Sequence, residues 1–160
     1  MVVFELSTAR ANFVIVLRVA TPDDLGALLV LEQASFSGDR LTRRQLRAHL
    51  SSPRATLLVA IDGGQLLGYG LVFRRARSQL ARVYSLCVAA QARGRGIASA
   101  LIAALEEMAI ARNARALRLE VRTDNLAARA LYQARGYHEI SVLKRYYEDG
   151  GDGVRLEKTL

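Results

Sequence analysis

Apolar and polar positions change their period several times along the chain, and each change marks an element. Phe13 to Val19 is an apolar, β-branched run of strand length that stops at Thr21-Pro22-Asp23-Asp24. There Thr21 can cap a helix, Pro22 suits its first turn, and the two aspartates suit its positive end. Leu25, Leu28, Leu29 and Glu32 follow at helical spacing until Ser35-Phe36-Ser37-Gly38 breaks the run. A second short helix is expected from about Thr42 to Leu50, with Leu46 and Leu50 on one face. Thr56 to Ile61 then reads as a strand that turns at Asp62-Gly63-Gly64 into Leu66 to Phe73, and Leu80 to Val88 is a third strand. The period switches again at Ile97, Ala100, Leu101, Ala104, Leu105 and Met108, a long apolar stripe on one helix. Leu117, Leu119 and Val121 alternate as a strand, and Asn125 to Arg135 is helical up to Gly136. In that helix Ala127, Ala130, Leu131 and Ala134 form the expected apolar stripe. The last segments, Tyr137 to Tyr147 and Val154 to Leu160, flank a turn over residues 148–153.

The predicted order is β-α-α-β-β-β-α-β-α-β-β. It describes an α/β fold, a mixed sheet with helices on both faces and its parallel part around the two late helices. Neither repeat nor linker interrupts it, and 160 residues suit one core. The expected organisation is an N-terminal extension over 1–12 and a single domain over 13–160. Cys87 is the one cysteine, which excludes an internal disulfide and points to a reducing compartment. No run approaches the ~18 apolar residues of a membrane helix, and the opening has no secretory pattern, so no membrane role and a cytoplasmic location are expected.

Charge adds one constraint. The formal net charge is +8, and 21 of the 23 basic residues are arginine. The excess is even, with 10 basic and 6 acidic residues in 1–80 and 13 and 9 in 81–160. Such a field attracts anionic ligands or acidic partners in general. It lacks the basic face with interleaved aromatics expected of a nucleic-acid-binding module.

The densest chemical signal is Val88-Ala89-Ala90-Gln91-Ala92-Arg93-Gly94-Arg95-Gly96-Ile97-Ala98-Ser99, a strand end, a glycine-rich turn and a helix start. Free N–H groups at a helix start, backed by the helix dipole, form an anion site, and glycines let a phosphate approach the backbone. Arg93 and Arg95 would add charge. A P-loop needs Gly-Lys-Ser/Thr, and no lysine is here. A dinucleotide fingerprint needs Gly or Ala where Ser99 stands.

Arg93-Gly94-Arg95-Gly96-Ile97-Ala98 resembles the Arg/Gln-x-x-Gly-x-Gly/Ala motif of the GNAT superfamily of acyl-CoA N-acyltransferases, and the element order from Phe13 to Leu160 is similar to that fold. The resemblance implies acetyl-CoA as acyl donor, with Arg93, Gly94, Arg95, Gly96, Ile97, Ala98 and Ser99 around its pyrophosphate. It implies that Leu86, Cys87 and Val88 pair with the pantetheine arm as an added strand does. The superfamily's proline near Ala90 is absent, and its last motif position is Ala98.

Leu119-Glu120-Val121-Arg122-x-x-Asn125-x-x-Ala128-x-x-Leu131-Tyr132 resembles ribosomal-protein-alanine N-acetyltransferases, which modify an N-terminal amine. That likeness implies Glu120 as base towards the amine, Tyr132 as the acid that protonates the departing thiolate, and Asn125 as a contact to the CoA arm. The chemistry is sound, because an amine must lose a proton to attack a thioester and a thiol of pKa ~8.5 leaves more readily when protonated. The N–H of Val88 would face the developing oxyanion. On the strand, Glu120 shares a face with Arg118 and Arg122. Lys144-Arg145-Tyr146-Tyr147 resembles the Arg-Asn-Tyr-Tyr run of the same enzymes, which with Phe36 implies an acceptor wall for a protein or peptide N-terminus. The enzymes' Phe-Pro-Trp is here Phe36-Ser37-Gly38. Lysine, a small amine or aminoacyl-tRNA stand as other acceptors, and a non-catalytic CoA- or nucleic-acid-binding module as another class. Cys87 reads as a small buried hydrophobe, and His49 and His138 show no metal-ligand spacing, so no metal is expected.

Overall fold

The structure, a computed structural model, describes residues 4–7 and 14–160. Eight strands form one sheet: β1 (Phe4–Ser7), β2 (Val14–Val19), β3 (Ala55–Asp62), β4 (Gln65–Arg74), β5 (Leu80–Val88), β6 (Ala116–Arg122), β7 (His138–Leu143) and β8 (Gly153–Thr159). Four helices accompany them: α1 (Leu25–Ser35), α2 (Arg43–Ser51), α3 (Ile97–Ala111) and α4 (Leu126–Ala134). The strands lie in the order β1-β2-β3-β4-β5-β6-β8-β7. The parallel pair among the described residues, β5 with β6, is joined across α3, as a parallel neighbour requires a crossover. The predicted elements are all present. One strand is added, since the expected extension over 1–12 contains β1, paired antiparallel with β2. Phe13, the predicted start of the first strand, lies outside the described residues.

β3 and β4 each carry six consecutive buried residues, the signature of strands covered on both faces. The Tyr69 hydroxyl reaches Glu32 of α1, whereas a Cβ on the next residue, Gly70, would come within 2.7 Å of Leu105 of α3. Neighbouring residues of β4 thus address opposite faces, which puts α1 and α3 on opposite sides of the sheet. Gly68 serves close approach: a Cβ there would stand 2.9 Å from the Cys87 carbonyl oxygen and 3.3 Å from Ile97 Cγ2. Its absence lets the end of β5 and the first turn of α3 close on β4.

Between β4 and β5 the register slips, with Leu71 opposite Ser85 but Val72 opposite Val83, so Tyr84 is an extra residue on β5. Such a bulge bends its strand and raises the local twist. β5 and β6 pair only over Leu80–Arg82 with Ala116–Arg118 and then part. That fork positions everything described below.

α4 corrects the expected stripe. Ala127, Ala130 and Ala134 are exposed, while Ala128 and Leu131 are partly covered and Tyr132 is buried. Alanines are cheap to expose and strong helix formers, so they support the helix without marking its inner face.

Candidate active site

A cleft of about 720 Å³ fills the fork. Val83 to Leu86 of β5 form one wall and Leu119 to Arg122 of β6 the other. Asn125, Ala128 and Tyr132 line it from α4, Ser35 to Asp39 from the α1–α2 connection, and Tyr147 to Asp149 from the β7–β8 connection. Residues far apart in sequence therefore meet because two adjacent strands stop pairing.

On the β5 side, Ala89 donates its N–H to Leu67 O at 2.8 Å, towards β4. Successive N–H groups of a strand alternate in direction, so those of Val88 and Leu86 face the open edge. Among the described residues, that edge has no partner strand beyond Arg82. A turn of 3₁₀ helix over Ala90–Ala92 follows, then Gly94 and Gly96, both at φ 76°. Nothing lies within 4 Å of a Cβ built at either glycine, so the left-handed backbone, not crowding, calls for glycine there. The first bond of α3 runs from Ala100 N–H to Gly96 O at 3.0 Å, which leaves the N–H groups of Ile97, Ala98 and Ser99 ahead of the helical ladder. An uncapped helix start beside an unpaired strand edge suits a ligand with a pyrophosphate and an amide-bearing arm. Arg93 is exposed, and Arg95 holds Asp62 of the β3–β4 turn at 2.7 Å. Cys87 is buried, and burial pushes its thiol up, as expected of a small core residue. Asn125 caps α4, its Oδ1 accepting from Ala128 N–H at 3.1 Å.

Glu120 and Tyr132 both reach the cleft. The arginines at Glu120 are not its strand neighbours: Arg118 pairs with Glu157 and Arg122 with Asp149. Instead Arg82 of β5 contacts Glu120 Oε2 at 2.7 Å and Arg155 of β8 contacts Oε1 at 2.9 Å, with the Glu120 side chain only 5% exposed. Arg155 is its cross-strand register partner, and Arg82 is the last residue of β5 before the fork. Alternation along one strand revealed the face of Glu120, but which charges stand opposite depends on the strand order, which has no local signal.

Tyr132 is buried and packs edge-on against Tyr137 at 5.5 Å between ring centroids. Burial, and secondarily Tyr147, pushes its phenol well above the ordinary tyrosine range. The hydroxyl therefore keeps its proton at neutral pH. Phe36 and Tyr147 line the cleft, and the phenol of Tyr147 is pushed up to about 12 by burial. Arg122 lies over its ring at 4.7 Å. Tyr146 stands outside the lining, and its hydroxyl accepts from Arg82 at 2.9 Å. Both tyrosines sit in the β7–β8 connection, not in the sheet.

No helix among the described residues is long and apolar enough to cross a membrane. The sequence profile of the acetyltransferase (GNAT) family matches residues 25–137. The N-alpha-acetyltransferase RimI of Mycobacterium tuberculosis is 36% identical over 112 residues, 68% of this chain and 69% of that protein. An N-alpha-acetyltransferase of Sulfurisphaera tokodaii is 35% identical over 123 residues, 70% of this chain and 74% of that protein. Among solved structures, a ribosomal-protein-alanine N-acetyltransferase from Brucella melitensis superposes with a TM-score of 0.78 at 30% identity, covering 90% of this chain and 99% of that one.

Proposed function

The chain belongs to the acetyltransferase (GNAT) family, and from that premise we propose that it transfers an acetyl group directly from acetyl-CoA to the N-terminal α-amine of a protein. That it is an N-acetyltransferase follows from the family; the acceptor is the proposal. The observation that carries it is the fork itself, where Glu120 and Tyr132 line one cleft beside the open edge of β5. Two of the relatives above are named as N-alpha-acetyltransferases, and the third acts on a ribosomal-protein alanine by its name.

Acetyl-CoA supplies the activated acetyl thioester. Leu86 and Val88 would hold its arm along the free strand edge, and the start of α3, with Gly94 and Gly96, would hold its pyrophosphate. Tyr132, kept protonated by burial, gives its proton to the departing sulfur. Glu120 receives the acceptor amine and, as base, takes the proton that the nitrogen loses as the C–N bond forms and the C–S bond breaks. Its two oxygens touch one guanidinium each, and each retains a further lone pair for that N–H. An α-amine of pKa ~8 is more easily deprotonated near neutral pH than a lysine of ~10.4, so a weak base suffices for it where lysine needs a stronger one. Phe36 and Tyr147 supply an apolar and aromatic wall for the first side chain of the acceptor.

Two matched peptide sets test this reading, one with free α-amines and no lysine, the other with blocked N-termini and a single lysine. The expected result is thiol release and an added acetyl group, located by mass spectrometry, in the first set alone. Transfer confined to the lysine set would overturn the acceptor assignment.

A further inference from the structure

A second carboxylate serves the same cleft from the other side of β5. Glu32 of α1 is 1% exposed. Its Oε2 accepts from the Leu41 N–H at 2.7 Å, and its Oε1 accepts from the hydroxyl of Tyr69, a residue of β4 with no exposure at all. The Tyr69 oxygen stands 2.6 Å from Ser85 Oγ, and Ser85 lines the cleft directly after the Tyr84 bulge. No ion pair reaches Glu32 among the described residues; neutral donors surround it, unlike Glu120.

With Glu32 as a carboxylate that accepts from both Leu41 and Tyr69, the protons in this chain have one arrangement. A phenol has a single hydrogen, and that of Tyr69 goes to Glu32. Burial and the nearby Glu32 charge push Tyr69 far above the ordinary tyrosine range, so that hydrogen stays in place. In the contact between Tyr69 and Ser85, Ser85 must then be the donor. With its one hydrogen committed inward, Ser85 Oγ has only lone pairs left for the cleft.

We infer that Ser85 is an acceptor-only contact for the substrate amine, binding one of its N–H groups, and that Glu32 and Tyr69 are positioning residues that fix the direction of the Ser85 hydroxyl. A free serine hydroxyl rotates to suit donor or acceptor alike. One locked in this way favours a ligand group that donates, such as an amine, over one that only accepts. The inference rests on the proposed reading only in placing the acceptor amine in this cleft.

Steady-state kinetics of Ser85→Ala, Ser85→Thr, Tyr69→Phe and the Ser85→Ala/Tyr69→Phe pair decide it, with the free-α-amine peptide as acceptor. Loss of a hydrogen bond to a charged or nascently charged amine predicts a rise of about tenfold or more in acceptor KM for Ser85→Ala. kcat and the calorimetric affinity for acetyl-CoA should change little, and Ser85→Thr should restore the acceptor KM. Tyr69→Phe should weaken acceptor binding in the same direction, and the pair should be no worse than Ser85→Ala alone, because both act through one hydroxyl. An unchanged acceptor KM in Ser85→Ala, or additive effects in the pair, would overturn the inference. Should the wild-type protein modify only the lysine peptide, the acceptor assignment fails, and the same KM comparison on that peptide still decides the role of Ser85.

Discussion

The two walls of the cleft are built in different ways. The β5 wall and the loop after it consist of consecutive residues, and apart from the Ser85 hydroxyl what they offer a ligand is backbone: outward N–H groups, an uncapped helix start, two glycines at positive φ. The wall opposite is assembled from β6, α4 and the β7–β8 connection, and it offers side chains whose settings come from elsewhere. Glu120 is gripped by arginines from β5 and β8, and Tyr132 is enclosed against Tyr137. A backbone site is suited to a constant ligand, since its shape barely depends on side-chain identity. A side-chain site can be retuned residue by residue, which suits the half proposed to bind the acceptor and move protons.

Tyr132→Phe should separate the walls most sharply. It removes the proposed proton donor and leaves the backbone cradle untouched, so kcat should fall about a hundredfold or more while acetyl-CoA affinity holds. Turnover equal to wild type in a protein that still binds acetyl-CoA would place the acid elsewhere. A smaller effect is expected where the walls are joined. Glu106 of α3 binds Arg135 and Lys158 at 3.0 Å each and Tyr137 at 3.0 Å, tying the helix behind the cradle to the end of α4 and to β8. Burial disfavours its charge, but the hydrogen bonds from Arg135, Lys158 and Tyr137 outweigh it and hold its carboxyl below the ordinary 4.5. A carboxyl lowered on folding contributes stability that is present above its unfolded value and lost as pH falls through its folded value. Glu106→Gln should therefore cost about 2 kcal/mol at pH 7 in chemical denaturation, less than a fully enclosed pair, and flatten the loss of stability below about pH 4.5. An acid limb identical to wild type would mean that the tie contributes nothing to stability.

The same contrast explains what the sequence discloses. The cradle is legible because its residues are contiguous and its physics is local: a strand end, two glycines and a helix stripe stand in order within Val88 to Ser99. Glu120 and Tyr132 are singled out by the resemblance carried on Leu119 to Tyr132, while the alternation of Leu117, Leu119 and Val121 gives only the strand face on which Glu120 lies. Their partners are not. Arg82 and Arg155 reach Glu120 only through the strand order β5-β6-β8, while Arg118 and Arg122, its sequence neighbours, are drawn off by Glu157 and Asp149. β1 escaped because a four-residue strand carries too little periodicity to register. The alanines of α4 misled because a small apolar residue loses little by facing water, so its position records helix propensity more than burial. The Tyr84 bulge, which opens the fork and turns Ser85 to the cleft, has no sequence signature, since it is a mismatch between two strands.

The division of labour between the walls is tested most directly by amide hydrogen exchange with and without acetyl-CoA. Slower exchange is predicted in the segment 84–99, at the open edge of β5 and the start of α3, with β7 and β8 unchanged. Protection of β7 and β8 with 84–99 unaffected would contradict the account and put the donor on the opposite wall.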